Sequence, residues 1–90
     1  MKTVRWTLHA LENLADREID REEAEKTVNG PALTVAGHGN RTVFLRKYHD
    51  RVLGQEMLLC VVAEQHGDEV VVVTVYKTSK IEKYLGGGVS

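Results

Sequence analysis

The feature that most constrains the fold is a nine-residue run near the C-terminal end, EVVVVTVYK, which spans Glu69 to Lys77. Its β-branched residues and its length favour a strand over a helix. Side chains alternate along a strand, so both faces of this run are mostly apolar. The predicted faces carry Val71, Val73 and Val75 on one side and Val70, Val72, Thr74 and Tyr76 on the other. Such a strand belongs in the interior of a sheet, with a further layer on each side.

The length and composition are those of one soluble domain. With 90 residues in all, we expect a single domain over residues 1–85 and a flexible tail over residues 86–90. No run is long and apolar enough to cross a bilayer, and the N-terminal region lacks a signal-peptide pattern, so we expect a cytoplasmic protein without membrane contact. The single Cys60 lies in an apolar run, which predicts a buried, reduced thiol.

A first helix is predicted after a short lead-in that could form an edge strand over residues 4–6. Thr7 is a suitable N-cap, because its hydroxyl can accept a hydrogen bond from a backbone N–H of the first turn. The helix should extend to Asp16 or Arg17. Its apolar stripe is predicted to consist of Leu11, Leu14 and Ala15.

A second helix is predicted to begin at Asp20. Asp20 and Glu23 have the spacing of a capping box, in which each side chain accepts from the backbone N–H of the other residue. The Gly30-Pro31 pair should end this helix, because proline cannot continue it. The residues it is expected to bury are Ala24 and Val28.

Beyond Pro31 the apolar period changes from helical to strand-like. Strands are predicted over residues 33–36, 41–48 and 56–64, separated by glycine-containing turns. A tight hairpin at Gly67 should connect the third of these to the valine-rich strand. The predicted fold class is therefore α+β, with two N-terminal helices packed on a three- to four-stranded antiparallel sheet.

Two helices can cover only one face of such a sheet. The second face needs its own cover, which could be a short helix formed by residues 81–85 or a second copy of the chain. An exposed apolar sheet face usually marks an interaction site, so we expect a homodimer or an obligate protein partner.

The charges are unevenly distributed. The formal net charge is −1, which argues against a dedicated nucleic-acid binder. The one plausible anion-binding surface combines Arg41, Arg46, Lys47 and Arg51 with Lys77, Lys80 and Lys83. Phe44, Tyr48 and Tyr76 lie among these cations, as contacts to single-stranded RNA require. Charged residues at sheet edges also prevent unwanted pairing, and that interpretation stays open.

His9 is the candidate base. It lies in the first turn of the first helix, where the helix dipole favours a neutral imidazole, and Arg17 follows two turns later on the same side. The alternative is that His9 fills the seam between helix and sheet. The four histidines are scattered and there is no second cysteine, so neither a metal site nor a cofactor is expected.

These residues resemble a known family. The segment TLHALENLADREID carries an H-A-x(6)-R-x-I pattern formed by His9, Ala10, Arg17 and Ile19, and the chain continues through an acidic second helix to VVVTVYK at residues 71–77. Over residues 6–77 this resembles DUF4258, a family of small bacterial domains. DUF4258 is distantly similar to the BrnT and RelE-like ribonuclease toxins of toxin–antitoxin systems. The resemblance implies a cytoplasmic bacterial protein with helices followed by an antiparallel sheet.

The toxin similarity implies a metal-independent ribonuclease or translation inhibitor that acts on RNA or the ribosome and binds an antitoxin-like protein. RNA cleavage by the substrate's own 2′-hydroxyl needs a base and cations around the phosphorane. His9 would be the base, with Arg17 and Arg46 as the charge-stabilising residues. Substrate contacts would come from Tyr76, Lys77 and Lys80. The alternative function is a non-catalytic interaction module that uses the apolar sheet face, with His9 and Arg17 structural.

Overall fold

The computed structural model describes residues 3–85, so the predicted tail at residues 86–90 lies outside the described part. In chain order the elements are β1 (Thr3–Trp6), α1 (Leu8–Asp16), α2 (Arg21–Asn29), β2 (Leu33–Ala36), β3 (Arg41–Asp50), β4 (Gln55–His66), β5 (Glu69–Thr78) and α3 (Ile81–Leu85). The α+β class is confirmed. None of the helices in residues 3–85 is long and apolar enough to cross a membrane.

The sheet differs from the prediction in size and in direction. It has five strands in the order β1-β5-β4-β3-β2, and β1 runs parallel to β5 while the other pairs are antiparallel. The prediction of three to four antiparallel strands was therefore wrong in these two respects. The sequence of a four-residue strand does not indicate which strand it pairs with, because β1 and β5 are separated by more than half of the chain. The valine-rich strand lies between β1 and β4, so its predicted interior position is confirmed.

A β-bulge in β5 changes which valines share a face. Thr74 pairs with Val62 but Val72 pairs with Ala63, so Val73 is an extra residue on β5. An extra residue reverses the alternation beyond it. Val75 consequently joins Val70 and Val72 in the core beneath the helices, and its predicted placement on the opposite face was wrong.

The first helix packs on β5 through a face that is partly polar. Thr7 is the N-cap, its hydroxyl accepting from the Ala10 N–H at 3.1 Å, and the helix ends at Asp16 as predicted. The predicted stripe was only partly right: Leu14 is buried, but Leu11 is 40% exposed and Ala15 is exposed. The buried face of α1 consists of Ala10, Asn13 and Leu14.

The second helix lies over β3 and β4. Asp20 is its N-cap residue and Gly30 its C-cap, and Ala24 and Val28 are buried, all as predicted. The capping box does not form, because the Asp20 side chain makes no cap hydrogen bond and instead pairs with Arg51 at 2.7 Å. The main core lies between α1, α2 and this face of the sheet.

The second face of the sheet is covered in part by α3. Ile81 and Leu85 of this helix pack on a small cluster whose buried members are Leu45, Leu58 and Cys60. The predicted burial of Cys60 is confirmed, and burial raises the pKa of its thiol to about 11. One of the two proposed covers, the helix at residues 81–85, is therefore present within the chain.

Replacing Ile81 by alanine tests the role of α3 as a cover. Because Ile81 is half-buried against the second cluster, we expect Ile81→Ala to lower the free energy of unfolding by about 1–2 kcal/mol. The Cys60 thiol should also react faster with a disulfide reagent, which is measured at native conditions. Lys83→Ala, at an exposed position of the same helix, is the control and should change neither quantity. Unchanged Cys60 reactivity in Ile81→Ala would contradict this role.

Candidate functional site

The outer edge of β5 is completed by side chains of α1 and of its two capping residues, Thr7 and Arg17. The strand β1 pairs with β5 only as far as Val72, so the backbone groups beyond that residue need other partners. The Thr7 hydroxyl donates to the Val72 carbonyl at 2.9 Å. The Asn13 side-chain oxygen accepts from the Val75 N–H at 3.1 Å, and the Arg17 guanidinium donates to the Val75 carbonyl at 2.6 Å. Asn13 and Arg17 lie one helical turn apart. Their side chains bond the N–H and the carbonyl of Val75, which a further strand at this edge would otherwise bond.

Arg46 is likewise engaged within the fold. From β3 its guanidinium reaches α2, where it donates to both the side chain and the backbone carbonyl of Glu23 and to the hydroxyl of Thr27. Thr27 is buried and donates in turn to the Glu23 carbonyl at 2.9 Å. Arg46 therefore fastens α2 to the sheet.

The proposed base makes no hydrogen bond with these two arginines within residues 3–85. His9 is exposed in the first turn of α1. Arg17 is directed to β5 and Arg46 to α2, and within residues 3–85 no hydrogen bond joins His9 to either arginine. The structure thus gives Arg17 and Arg46 definite structural contacts and does not link the three proposed catalytic side chains into one hydrogen-bonded cluster.

The proposed substrate contacts also lie at separate places. Lys77 points to the helix face, where its ammonium donates to Asp50 at 2.6 Å. Its neighbour Tyr76 is half-buried on the other face, against the cluster that α3 covers. Lys80 is exposed in the connection between β5 and α3. Of these three, only Lys80 has an exposed side chain.

Asp50, at the end of β3, carries a buried carboxylate with four hydrogen bonds. Its side chain is 2% exposed. One carboxylate oxygen accepts from the Tyr48 hydroxyl at 2.8 Å and from Lys77, and the other accepts from the backbone N–H groups of Val52 and Leu53 at 2.9 and 3.0 Å. The carboxylate therefore joins the ends of β3 and β5 and shapes the turn between β3 and β4.

The electrostatics of this cluster follow from its hydrogen bonds. Burial acts to raise the pKa of Asp50, but the donors from Lys77, the Leu53 backbone and Tyr48 outweigh it and hold the pKa well below the ordinary carboxyl value. The pKa of Tyr48 is raised, first by burial and then by its hydrogen bond to Asp50. Asp50 is thus a stable carboxylate and Tyr48 a stable neutral donor at physiological pH.

A small cavity of about 180 Å³ opens above this cluster. It is lined by Glu18, Asp20, Tyr48, Asp50, Arg51 and Val52. Glu18 has a φ of +53°, a conformation that non-glycine residues rarely adopt, and its carbonyl accepts from Lys77 at 3.4 Å. Three carboxylates and one arginine make a lining that disfavours phosphate groups. Within residues 3–85, His, Cys, Asp and Glu side chains form no group of three or more that could hold a metal ion.

The sequence contained a signal for the burial of Asp50. The prediction missed it because it ended the strand at residue 48 and placed residue 50 in the following turn. Phe44, Arg46 and Tyr48 alternate onto the helix face of β3, and two residues further the same alternation reaches Asp50. An acidic side chain on a core-facing position needs a buried cation or several donors. Its partner Lys77 could not be identified in the same way, because the bulge in β5 moved that residue to the helix face.

Together these features define a small α+β domain. Three of its cationic side chains, Arg17, Arg46 and Lys77, connect helices and strands to one another. The chain belongs to the DUF4258 family, a domain of unknown function, whose family model matches residues 6–77. The predicted family is thereby confirmed. No curated protein and no solved structure matches the chain.

The contact between Asn13 and the β5 edge can be tested by mutation. Asn13→Ala leaves the buried Val75 N–H without its acceptor, so we expect the free energy of unfolding to fall by about 1–3 kcal/mol. Chemical denaturation measures this change. Glu12→Ala, at the exposed neighbouring position, is the matched control. Equal stability of Asn13→Ala and the control would show that the edge does not depend on Asn13.

The buried ion pair predicts a characteristic dependence of stability on pH. Because the pKa of Asp50 is lower in the folded state, its contribution is complete above the ordinary carboxyl value of 3.8 and is lost as the pH falls towards the folded value. We expect Asp50→Asn to destabilise the fold by about 3 kcal/mol at neutral pH, and the difference from wild type to shrink below that ordinary value. Urea titrations at a series of pH values measure it. Asp16→Asn, an exposed change of the same kind, should show no such dependence; a constant difference for Asp50→Asn would contradict the proposed role.

Proposed function

We propose that this protein is a non-catalytic interaction domain that binds a protein partner through the second face of its sheet. The observation that carries the proposal is an apolar surface that α3 leaves uncovered. We call it the docking row; it consists of Leu33, Val35, Val43 and Val62. Leu33 and Val35 are 38% and 39% exposed, and Val43 and Val62 are half-buried.

The docking row is continuous because its members are neighbours across the sheet. Val35 pairs with Val43, and Val43 pairs with Val62 on the central strand. Leu33 lies two residues from Val35 on the same strand and therefore on the same face. The adjacent residues Leu45 and Cys60 are buried, since α3 packs beside them. An apolar surface that is contiguous and partly exposed is typical of a binding site.

The charged residues support an interaction domain over a nuclease. Arg17, Arg46 and Lys77 all bond groups of the same fold, so their charges are partly neutralised or directed inward. Three of the six residues that line the cavity beside Asp50 carry carboxylates and one is an arginine, so the lining has an excess of negative charge that disfavours the phosphates of RNA. The formal net charge of −1 adds no general attraction for nucleic acid.

The second candidate is a toxin-like ribonuclease or translation inhibitor of the bacterial cytoplasm, on the distant resemblance of DUF4258 to BrnT and RelE-like toxins. One observation favours it: the imidazole of His9 is exposed and makes no hydrogen bond with residues 3–85, so it is accessible to a substrate hydroxyl. The proposed substrate would be RNA or the ribosome, with Lys80 as an accessible cation and an antitoxin-like protein as partner.

Two measurements separate the candidates. Purified protein is incubated with single-stranded RNA, and the protein is also produced from an inducible promoter in bacteria. We expect no cleavage and no growth arrest from the interaction domain. Cleavage and arrest that both disappear in a folded His9→Ala variant would overturn the proposal in favour of the ribonuclease.

The docking row has its own test. Val43→Lys places a charge in the row, so partner capture from cells of the source organism should fall at least about tenfold, because a buried unpaired charge opposes binding. Leu8→Lys makes the same type of change at a 74% exposed residue of α1 and should leave capture unchanged. Circular dichroism verifies that both variants are folded. Equal capture by the two variants would remove the docking row as the binding surface.

A further inference from the structure

The strand β2 leaves one edge of the sheet open. It is the terminal strand of the sheet, and all four of its residues, Leu33, Thr34, Val35 and Ala36, are exposed. The Gly37 N–H donates to the Arg41 carbonyl of β3 at 2.8 Å. Counted back from Gly37, the alternation of backbone groups along a strand directs those of Val35 and Leu33 to β3 and those of Ala36 and Thr34 outward. The Ala32 N–H also donates to β3, at the Leu45 carbonyl, so the run of outward-facing N–H groups ends at Thr34.

Apart from its short length of four residues, this edge lacks the devices that normally prevent pairing. Its sequence, LTVA, contains no charged residue, no proline and no bulge. The opposite edge is different. There β1 carries the exposed Arg5, and beyond β1 the edge of β5 is bonded by Thr7, Asn13 and Arg17. One edge of the sheet is therefore available for an additional strand and the other is protected.

We propose that β2 pairs antiparallel with β2 of a second copy of this chain, about a two-fold axis at Thr34. Thr34 and the partner's Thr34 exchange two backbone hydrogen bonds. Leu33 then lies opposite the partner's Val35, and both side chains stay on the second face of the sheet. The product is a continuous sheet of ten strands, five from each copy.

The strand itself favours a second copy as the occupant. Antiparallel pairing about Thr34 matches apolar residues with apolar residues on one face and threonine with threonine on the other, and no like charges meet. The protected β1 edge stops further addition, so the assembly closes as a dimer and does not grow into a fibre. The dimer joins the two docking rows into one apolar surface; the inference thus rests on the proposed function and deepens it.

The proposal is tested by measuring the oligomeric state and its dependence on the backbone N–H of Thr34. Sedimentation equilibrium of the full chain should show a reversible monomer–dimer equilibrium. Thr34→Pro removes the outward N–H without affecting the pairing with β3, so the dimer dissociation constant should rise about tenfold or more. Thr34→Val keeps the N–H and the strand propensity, and should dimerise like wild type.

Cysteine cross-linking tests the register. In Thr34→Cys the two introduced thiols lie opposite each other at a separation that a disulfide spans, so mild oxidation should give a covalent dimer. Ala36→Cys, also at an exposed position of the strand, faces the partner's Ala32 and should cross-link at least about tenfold less. The wild-type chain is the negative control and should not cross-link, because Cys60 is buried.

The outcomes are distinct from those of the proposed function. A wild-type chain that stays monomeric at millimolar concentration, a dimer insensitive to Thr34→Pro, or cross-linking of Ala36→Cys in preference to Thr34→Cys would each overturn the β2 pairing. A monomer that takes up an added LTVA-like peptide at this edge would also overturn it, in favour of another extended segment. None of these results depends on the RNA cleavage and growth measurements, which test the proposed function.

Discussion

The structure depends on hydrogen bonding along both edges of β5. This strand carries much of the core, so its backbone groups lie where water does not replace missing partners. β4 pairs with one edge along the whole strand apart from the bulge at Val73, whereas β1 pairs with the other edge only as far as Val72. Beyond that point the backbone N–H and carbonyl of Val75 are bonded by Asn13 of α1 and by Arg17, the residue that caps this helix. This requirement explains why α1 presents a polar as well as an apolar face to the sheet, and it gives the arginine of the H-A-x(6)-R-x-I pattern a structural role.

A second set of polar contacts joins elements that the apolar core does not hold by itself. Asp50 connects β3 with β5 through Lys77, and Lys77 also reaches the α1–α2 junction at the Glu18 carbonyl. Arg46 connects β3 with α2. In a chain of 90 residues the apolar core is small, so buried ion pairs and side-chain bonds to backbone contribute to a unique arrangement. The same contacts occupy cations that would otherwise be candidates for catalysis.

The two faces and the two edges of the sheet are unequal, and this asymmetry points to function. One face is covered by α1 and α2, and the other only in part by the five-residue α3. One edge ends in a charged strand reinforced by α1, and the other ends in the uncharged β2. The open face and the open edge meet at Leu33 and Val35. The region where the open face and the open edge meet is therefore the part of the surface best suited to binding.

Much of the architecture could be predicted because it follows from local pattern. The N-cap at Thr7, the burial of Ala24 and Val28, the alternation of β3 and β4, and the hairpin at Gly67, which has a φ of +64°, all depend on residues close together in the chain. The candidate site was harder to predict. Asp50 could have been found by extending one alternation by two residues, but the partners of Arg17 and Arg46 lie 58 and 23 residues away.

The sequence by itself determined the α+β class, the two leading helices, the interior position of the valine-rich strand and the family. These depend on periodicity, capping and turn chemistry, which act over a few residues. Only the tertiary structure decided that β1 pairs parallel to β5, that a bulge at Val73 reverses the faces of that strand, and that Lys77 meets Asp50. Those features arise from contacts between distant segments, and their geometry is set by the packing of the whole sheet.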